Sequence, residues 1–152
     1  MAYTSAEGRE ELLGGFAEAI EEIGLALAAL GAAYEQLDER NADRLEEELF
    51  GPVRRAYGRA KATYSQFAGR HGMEGRTFAA PSPGVPSTGA KGFIDMAVDA
   101  VSRADGALST LQDSELPTEV GDVELRAALT DVRELLGGVR QRARELERTL
   151  GR

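Results

Sequence analysis

The most suggestive chemistry in the chain lies in residues 81–93, PSPGVPSTGAKGF. Gly84 and Gly89 have four residues between them, a lysine follows, and a helical pattern begins just beyond. That is the outline of a phosphate-binding loop. There, backbone N–H groups cradle phosphate oxygens, a lysine reaches them, and a Ser or Thr hydroxyl holds magnesium. The details do not fit. Ala90 follows the second glycine, Lys91 comes one place late, and Gly92 stands where the hydroxyl belongs. No strand is expected before the loop. Pro81, Pro83 and Pro86 stiffen it in an extended conformation and remove N–H donors. What survives is an anion site made by Lys91 and a helix N-terminus. The simpler reading is a proline-stiffened crossover, anchored by Met73, Phe78 and Val85.

Other chemistry is sparse. The absence of cysteine excludes disulfides, thiolate catalysis and Cys-ligated zinc. A di-metal carboxylate site in a helical bundle needs inward Glu residues and two Glu-x-x-His motifs. The one histidine, His71, has Ala68 three residues before it. Glu18, Glu21 and Glu22 fall at outer helical positions, so no metal or other cofactor is expected. His71 has no evident local partner, and an enzyme built on it and Lys91 lacks a nucleophile and an orienting group. In RRAYGRAKATYSQF, residues 54–67, basic and aromatic residues mix. Tyr57, Tyr64 and Phe67 lie on the apolar seam, where nucleobases cannot stack on them. A net charge of −8, from 18 basic and 26 acidic residues, also argues against nucleic acid as a partner.

The elements that would position these residues are helices. Leu13, Phe16, Ile20, Ile23, Leu27, Leu30, Tyr34 and Leu37 alternate spacings of 3 and 4, a heptad seam. Similar seams run through Val53–Phe67, Ile94–Leu111 and Leu125–Leu150. Nothing alternates with period two. The spacing predicts helices over about 5–38, 41–70, 89–113 and 118–150, in one domain covering 1–152, with a crossover over 71–88. Thr4 and Glu7 form a capping box, Asn41 caps the second helix, and Ser87 or Thr88 the third. Gly51-Pro52 then falls inside helix two and kinks it. The expected fold is all-α, an antiparallel up-down-up-down four-helix bundle with a long Pro/Gly-rich crossover between helices two and three. Helices one and three are acidic, helix two is basic, and helix four ends on Arg140, Arg142, Arg144, Arg148 and Arg152. In ring order 1-2-3-4 each acidic helix would lie between basic ones.

Helix one is apolar nearly all round. Ala17, Gly24, Gly31, Ala19, Ala26 and Ala33 flank its seam, and Leu25, Ala28, Ala29 and Ala32 fall on the side expected to face water. A helix of that kind is normally covered on every side. Either the crossover or another protein must cover it. The first functional reading is a non-enzymatic bundle acting through protein–protein contact, as a homodimer or adaptor, with Leu25, Ala28, Ala29 and Ala32 as the interface. On that reading Leu25→Glu weakens self-association. The alternative is a small-ligand-binding bundle, with an apolar pocket near the Gly51-Pro52 kink and Tyr34, Tyr57 and Tyr64 as hydroxyl handles. The N-terminus has neither a basic nor an apolar leader region. The longest uncharged run inside a periodic segment, residues 23–34, is shorter than the roughly 20 residues a membrane span needs. A cytoplasmic location is expected, and the Ala, Gly, Arg and Glu bias points to a bacterial, GC-rich source.

Overall fold

The computed structural model describes residues 4–79 and 81–150; Arg152 lies outside them, as do the ends of the expected 1–152 domain. Among the described residues every regular element is helical, and no helix is long and apolar enough to cross a membrane. Helix α1 spans Ser5–Tyr34, and the Thr4 hydroxyl accepts the Glu7 N–H at 3.1 Å at its start. It stops four residues short of the expected end, and extended Asp38 holds the N-cap position of the next helix without a side-chain capping bond. Asn41 is not that cap. Its side-chain amide donates to the Asp38 carboxylate at 2.7 Å instead.

Helix α2, Glu39–Leu45, passes through a π-helical turn, Glu46–Phe50, into α3, Gly51–Arg70. Gly51-Pro52 therefore sits within a continuous helical run. Pro52 cannot donate to the Glu48 carbonyl four residues back, and its ring would crowd that oxygen. The wide turn makes room. Arg142 Nε then donates to the freed Glu48 carbonyl at 2.8 Å, so no backbone acceptor is orphaned there. At the other end α3 closes with Gly72 at φ 66°. Met73 N–H reaches Ala68 O at 2.8 Å and Gly72 N–H reaches Gly69 O, a left-handed C-cap that only glycine enters cheaply.

Residues 71–79 and 81–85 are irregular and a short 3₁₀ turn, Pro86–Thr88, leads into α4, Gly89–Asp113. Thr88 precedes α4 but makes no capping bond. The fourth expected helix is broken into α5, Leu116–Glu119, α6, Val123–Leu136, and α7, Val139–Leu150. The last break falls at Gly137-Gly138, where Gly138 has φ 85°.

Pairwise contacts set the directions. Gly8 meets Val120, Gly15 meets Leu111, and Glu22 pairs with Arg103, so α1 and α4 are antiparallel. Phe16 stacks on Tyr64 and Gly24 meets Tyr57, so α1 and α3 are antiparallel. Arg59–Asp131 and Arg70–Asp122 give α3 and α6 the same relation, and Asp105–Arg133 with Gln112–Thr130 gives it to α4 and α6. Going round, the order is α1, α3, α6–α7, α4. The chain thus runs up, down, down, up, not the expected up-down-up-down, and helices two and three are not neighbours. The acidic helices α1 and α4 form the most extensive pair in the fold. Ala19, Ala26, Ala29 and Ala33 of α1 and Ala97, Ala100 and Ala104 of α4 are fully buried. Small residues on both helices let the backbones approach closely. Burial at about 25 cal/mol per Å² outweighs surface charge pairs worth about 0–1 kcal/mol each, so charge alternation does not choose the order.

Because α3 and α4 point the same way, the crossover must run the length of the molecule. Arg76 pairs with Glu21 at 3.1 Å, and Phe78 sets its edge on Tyr64 at 5.4 Å between centroids. Pro81 lies beside Leu25, and the Gln36 amide donates to Pro86 O at 2.8 Å. Five extended residues span about 17 Å; eleven helical residues, from Leu25 to Gln36, rise about 16 Å. The segment 81–86 therefore follows the outer stripe of α1. Met73 and Phe78 pack on the core, whereas Val85, expected as a third anchor, is 62% exposed.

Candidate functional site

Below the crossover, the seam between α1 and α4 opens into a groove of about 610 Å³. Gly14, Gly15, Gly106 and Ala107 form its floor, Leu111 and Leu116 its apolar lower end, and Glu11 and Glu18 its rim. It continues upward past Glu21, Glu22 and Arg103 to Leu25 and Pro81. From Glu11 to Leu25 is about 21 Å, or four helical turns. Gly15 has a packing reason, since an added methyl would lie 3.3 Å from Leu111. Among the described residues Gly14 and Gly106 have none: a methyl at either meets nothing within 4 Å. Both are exposed within long helices, where glycine costs about 0.5–1 kcal/mol relative to alanine. The fold does not require them.

The surroundings are negative. Helix α1 carries six acidic side chains and one basic, and α4 four and two. Glu21 and Glu22 are answered by Arg76 and Arg103. Among the described residues neither Glu11 nor Glu18 forms an ion pair. A floor without side chains admits a close backbone, and carboxylate rims suit Arg or Lys flanking it. The groove contains no nucleophile–base pair.

A second cluster ties the lower end together. Asp122 caps α6 through the Leu125 N–H at 2.9 Å. It also accepts Arg70 through two bonds, 2.8 and 2.9 Å, and lies 3.0 Å from His71 Nε2. Burial works against its charge, but Arg70, the Leu125 N–H and His71 outweigh that and hold its carboxyl down at about 2. His71 thus has the partner that its neighbours in sequence do not supply, fifty-one residues away. Beside it a groove is lined by Arg9, Glu10, Tyr64 and Glu74. Arg9 is engaged with the Val120 carbonyl at 3.1 Å. No Ser, Thr, Cys or Lys lines that groove, so the imidazole–carboxylate pair has only the Tyr64 hydroxyl to act on. Its evident work is joining α3 to α6.

The three tyrosines do not form one pocket. Tyr57 sits in the notch left by Gly24, its hydroxyl 3.2 Å from where a methyl would stand, with Lys61 over its ring at 4.0 Å. Burial raises its pKa above the ordinary value of 10.0. Tyr64, two turns along α3, stacks on Phe16 and meets Phe78 edge to face, and Tyr34 is exposed at the end of α1. Beside Gly51-Pro52, Arg142 bonds the Glu48 carbonyl within the π turn. Leu25, Ala28 and Ala32 are half-buried along the path of the crossover, and Ala29 is fully buried in the core. Ala29 therefore leaves the expected interface, and the crossover covers much of the stripe that seemed to need a partner. Leu25 alone reaches the groove.

Lys91 stands in the first turn of α4, close enough to Glu147 and Asp95 for their charges to interact. These acidic neighbours oppose an anion there. Burial first, and the adjacent Asp95 carboxyl second, push Glu147 up to about 7, while Lys91 and Arg144 pull it down. Among the described residues no N–H or hydroxyl donor reaches the buried Glu147 Oε2. Since the folded pKa exceeds the ordinary 4.5, the folded state holds the proton more tightly. That stabilisation is full below about pH 4.5, declines as pH rises, and is gone above about 7. Raising the pH from 5 to 8 is expected to cost about 1 kcal/mol, allowing for solvent screening. Glu147→Gln should flatten that slope in denaturant unfolding; an unchanged slope would assign it to other groups.

Two signals in the sequence point to what was missed. Gly14 and Gly106 are glycines inside strong helical patterns, a known mark of a packing or contact role. Asp122 directly precedes the helical pattern of α6, the position of an N-cap. Among the described residues no three His, Cys, Asp or Glu side chains gather as a metal site. Comparison with known proteins finds no family model, curated protein or solved structure that matches this chain.

Proposed function

We propose that this protein is a non-enzymatic four-helix bundle that acts by associating with further copies of itself, through the groove between α1 and α4. The observation that carries this reading is the pair Gly14 and Gly106. Each weakens its own helix, neither is needed by an internal neighbour, and the two face one groove. Close approach of a partner backbone explains both. The small-ligand reading near the Gly51-Pro52 kink has no comparable support, because Tyr34, Tyr57 and Tyr64 do not converge on one pocket.

The test uses opposing signs. Gly14→Gln and Gly106→Gln place a long, helix-favouring side chain in the groove. Each is expected to raise unfolding stability by about 0.5–1 kcal/mol. Together they should abolish association, measured as solution mass by light scattering at two concentrations. Leu25→Glu, at the upper end, should weaken it less. Wild-type protein that stays at 16.3 kDa at every concentration would defeat the reading.

A further inference from the structure

An acid-rimmed groove is complemented by a basic ridge, and this chain carries one. Helix α3 holds five basic side chains and no acidic one. Its exposed face bears Gly58, Ala62, Ser65 and Gly69 at spacings of 4, 3 and 4, a smooth stripe beside Arg54, Arg55 and Arg59. An added methyl at Gly58 or Gly69 would meet nothing within 4 Å. Among the described residues Arg54 and Arg55 have no carboxylate partner, and Arg59 meets only the exposed Asp131. The ring order α1, α3, α6–α7, α4 puts the α3–α6 side opposite the α1–α4 groove. Acidic and basic surfaces are therefore segregated to opposite sides of one molecule.

We infer that the α1–α4 groove of one copy receives the α3 ridge of the next, head to tail; this rests on the self-association proposed above. Glu11 and Glu18 meet Arg54 and Arg55 across the contact. The glycines on both sides allow ridge-into-groove packing at short range. Two different surfaces make the contact heterologous, so assembly does not stop at a two-fold pair. Opposite charges at the rim make it sensitive to salt, since the screening length falls from about 10 Å at 0.1 M to about 3 Å at 1 M.

Two double variants test it: Glu11→Lys with Glu18→Lys, which disables the groove, and Arg54→Glu with Arg55→Glu, which disables the ridge. All four side chains are exposed, and circular dichroism checks that each variant keeps its helix content. Each alone should remain at 16.3 kDa at concentrations where the wild type forms species beyond the dimer. An equimolar mixture should regain assembly, because the intact ridge of one variant meets the intact groove of the other, and the reversed groove and reversed ridge again carry opposite charges. A ridge variant that assembles as the wild type does would overturn the head-to-tail contact while leaving self-association standing. A wild type that is monomeric throughout would remove both. Assembly unaffected by 1 M salt would also overturn the charge pairing.

Discussion

Phe16→Ala is expected to destabilise the fold by about 3–5 kcal/mol, the usual cost of emptying a fully buried aromatic site. Phe16 has no exposed surface. Its ring lies 6.4 Å from that of Tyr64, and Tyr64 in turn carries Phe78, one of the two apolar anchors of the crossover. The substitution therefore leaves a cavity between α1 and α3 and loosens the support beneath the crossover. A domain of this size holds only about 5–15 kcal/mol in total, so the loss is a large share of it. Denaturant unfolding reads the global effect. Trypsin cleavage after Arg76 under native conditions reads the local one, and its rate should rise more than that at Arg103 in α4. Phe16→Leu keeps most of the volume and should recover most of the stability. A cost below about 1 kcal/mol for the alanine variant would mean that this stack does not anchor the core.

Asp122→Ala is expected to cost about 2–3 kcal/mol. The N-cap bond accounts for about 1 kcal/mol, and the two-bond Arg70 contact, charged on both sides and partly shielded from solvent, for most of the rest. Asp122→Asn separates the two, since asparagine caps nearly as well but carries no charge. It should lose about half as much. The pH dependence carries a definite sign. The folded pKa is depressed to about 2 from 3.8, so this stabilisation is complete above about pH 4 and is lost as pH falls through about 2. In the asparagine variant that acid step should be absent. Equal acid sensitivity in wild type and Asp122→Asn would place the loss on other carboxylates. Neither variant touches the groove, so association should persist wherever the protein is folded.

Helix content was open to reading because it is local. The 3-and-4 spacing of apolar residues marks α1 and α3, and the 89–113 pattern coincides with α4, since periodicity follows from backbone geometry alone. The placement of Gly51-Pro52 inside a helix was legible for the same reason, as was Thr4 as a cap. The break at Gly137-Gly138 was passed over because the seam continues through it from Leu136 to Val139. Spacing says that a face is apolar, but not which neighbour it meets. The charge pattern suggested alternating acidic and basic helices. Only the tertiary structure decided otherwise, because the Ala-rich faces of α1 and α4 bury more surface against each other than exposed ion pairs can offset.

That one choice of neighbour carries the remaining surprises. It makes α3 and α4 parallel, which obliges the crossover to travel along α1 and cover Leu25, Ala28 and Ala32. It gathers Gly14 and Gly106, ninety-two residues apart, into one groove, and it brings Asp122 to His71 and Arg142 to the carbonyl that Pro52 releases. Sequence alone determined that the chain is helical, the Thr4 cap and the apolar belt of α1, all of which depend on contacts within a few residues. The order of packing, the acidic and basic sides and the groove depend on contacts across the whole chain, where burial rather than local propensity has the larger free energy.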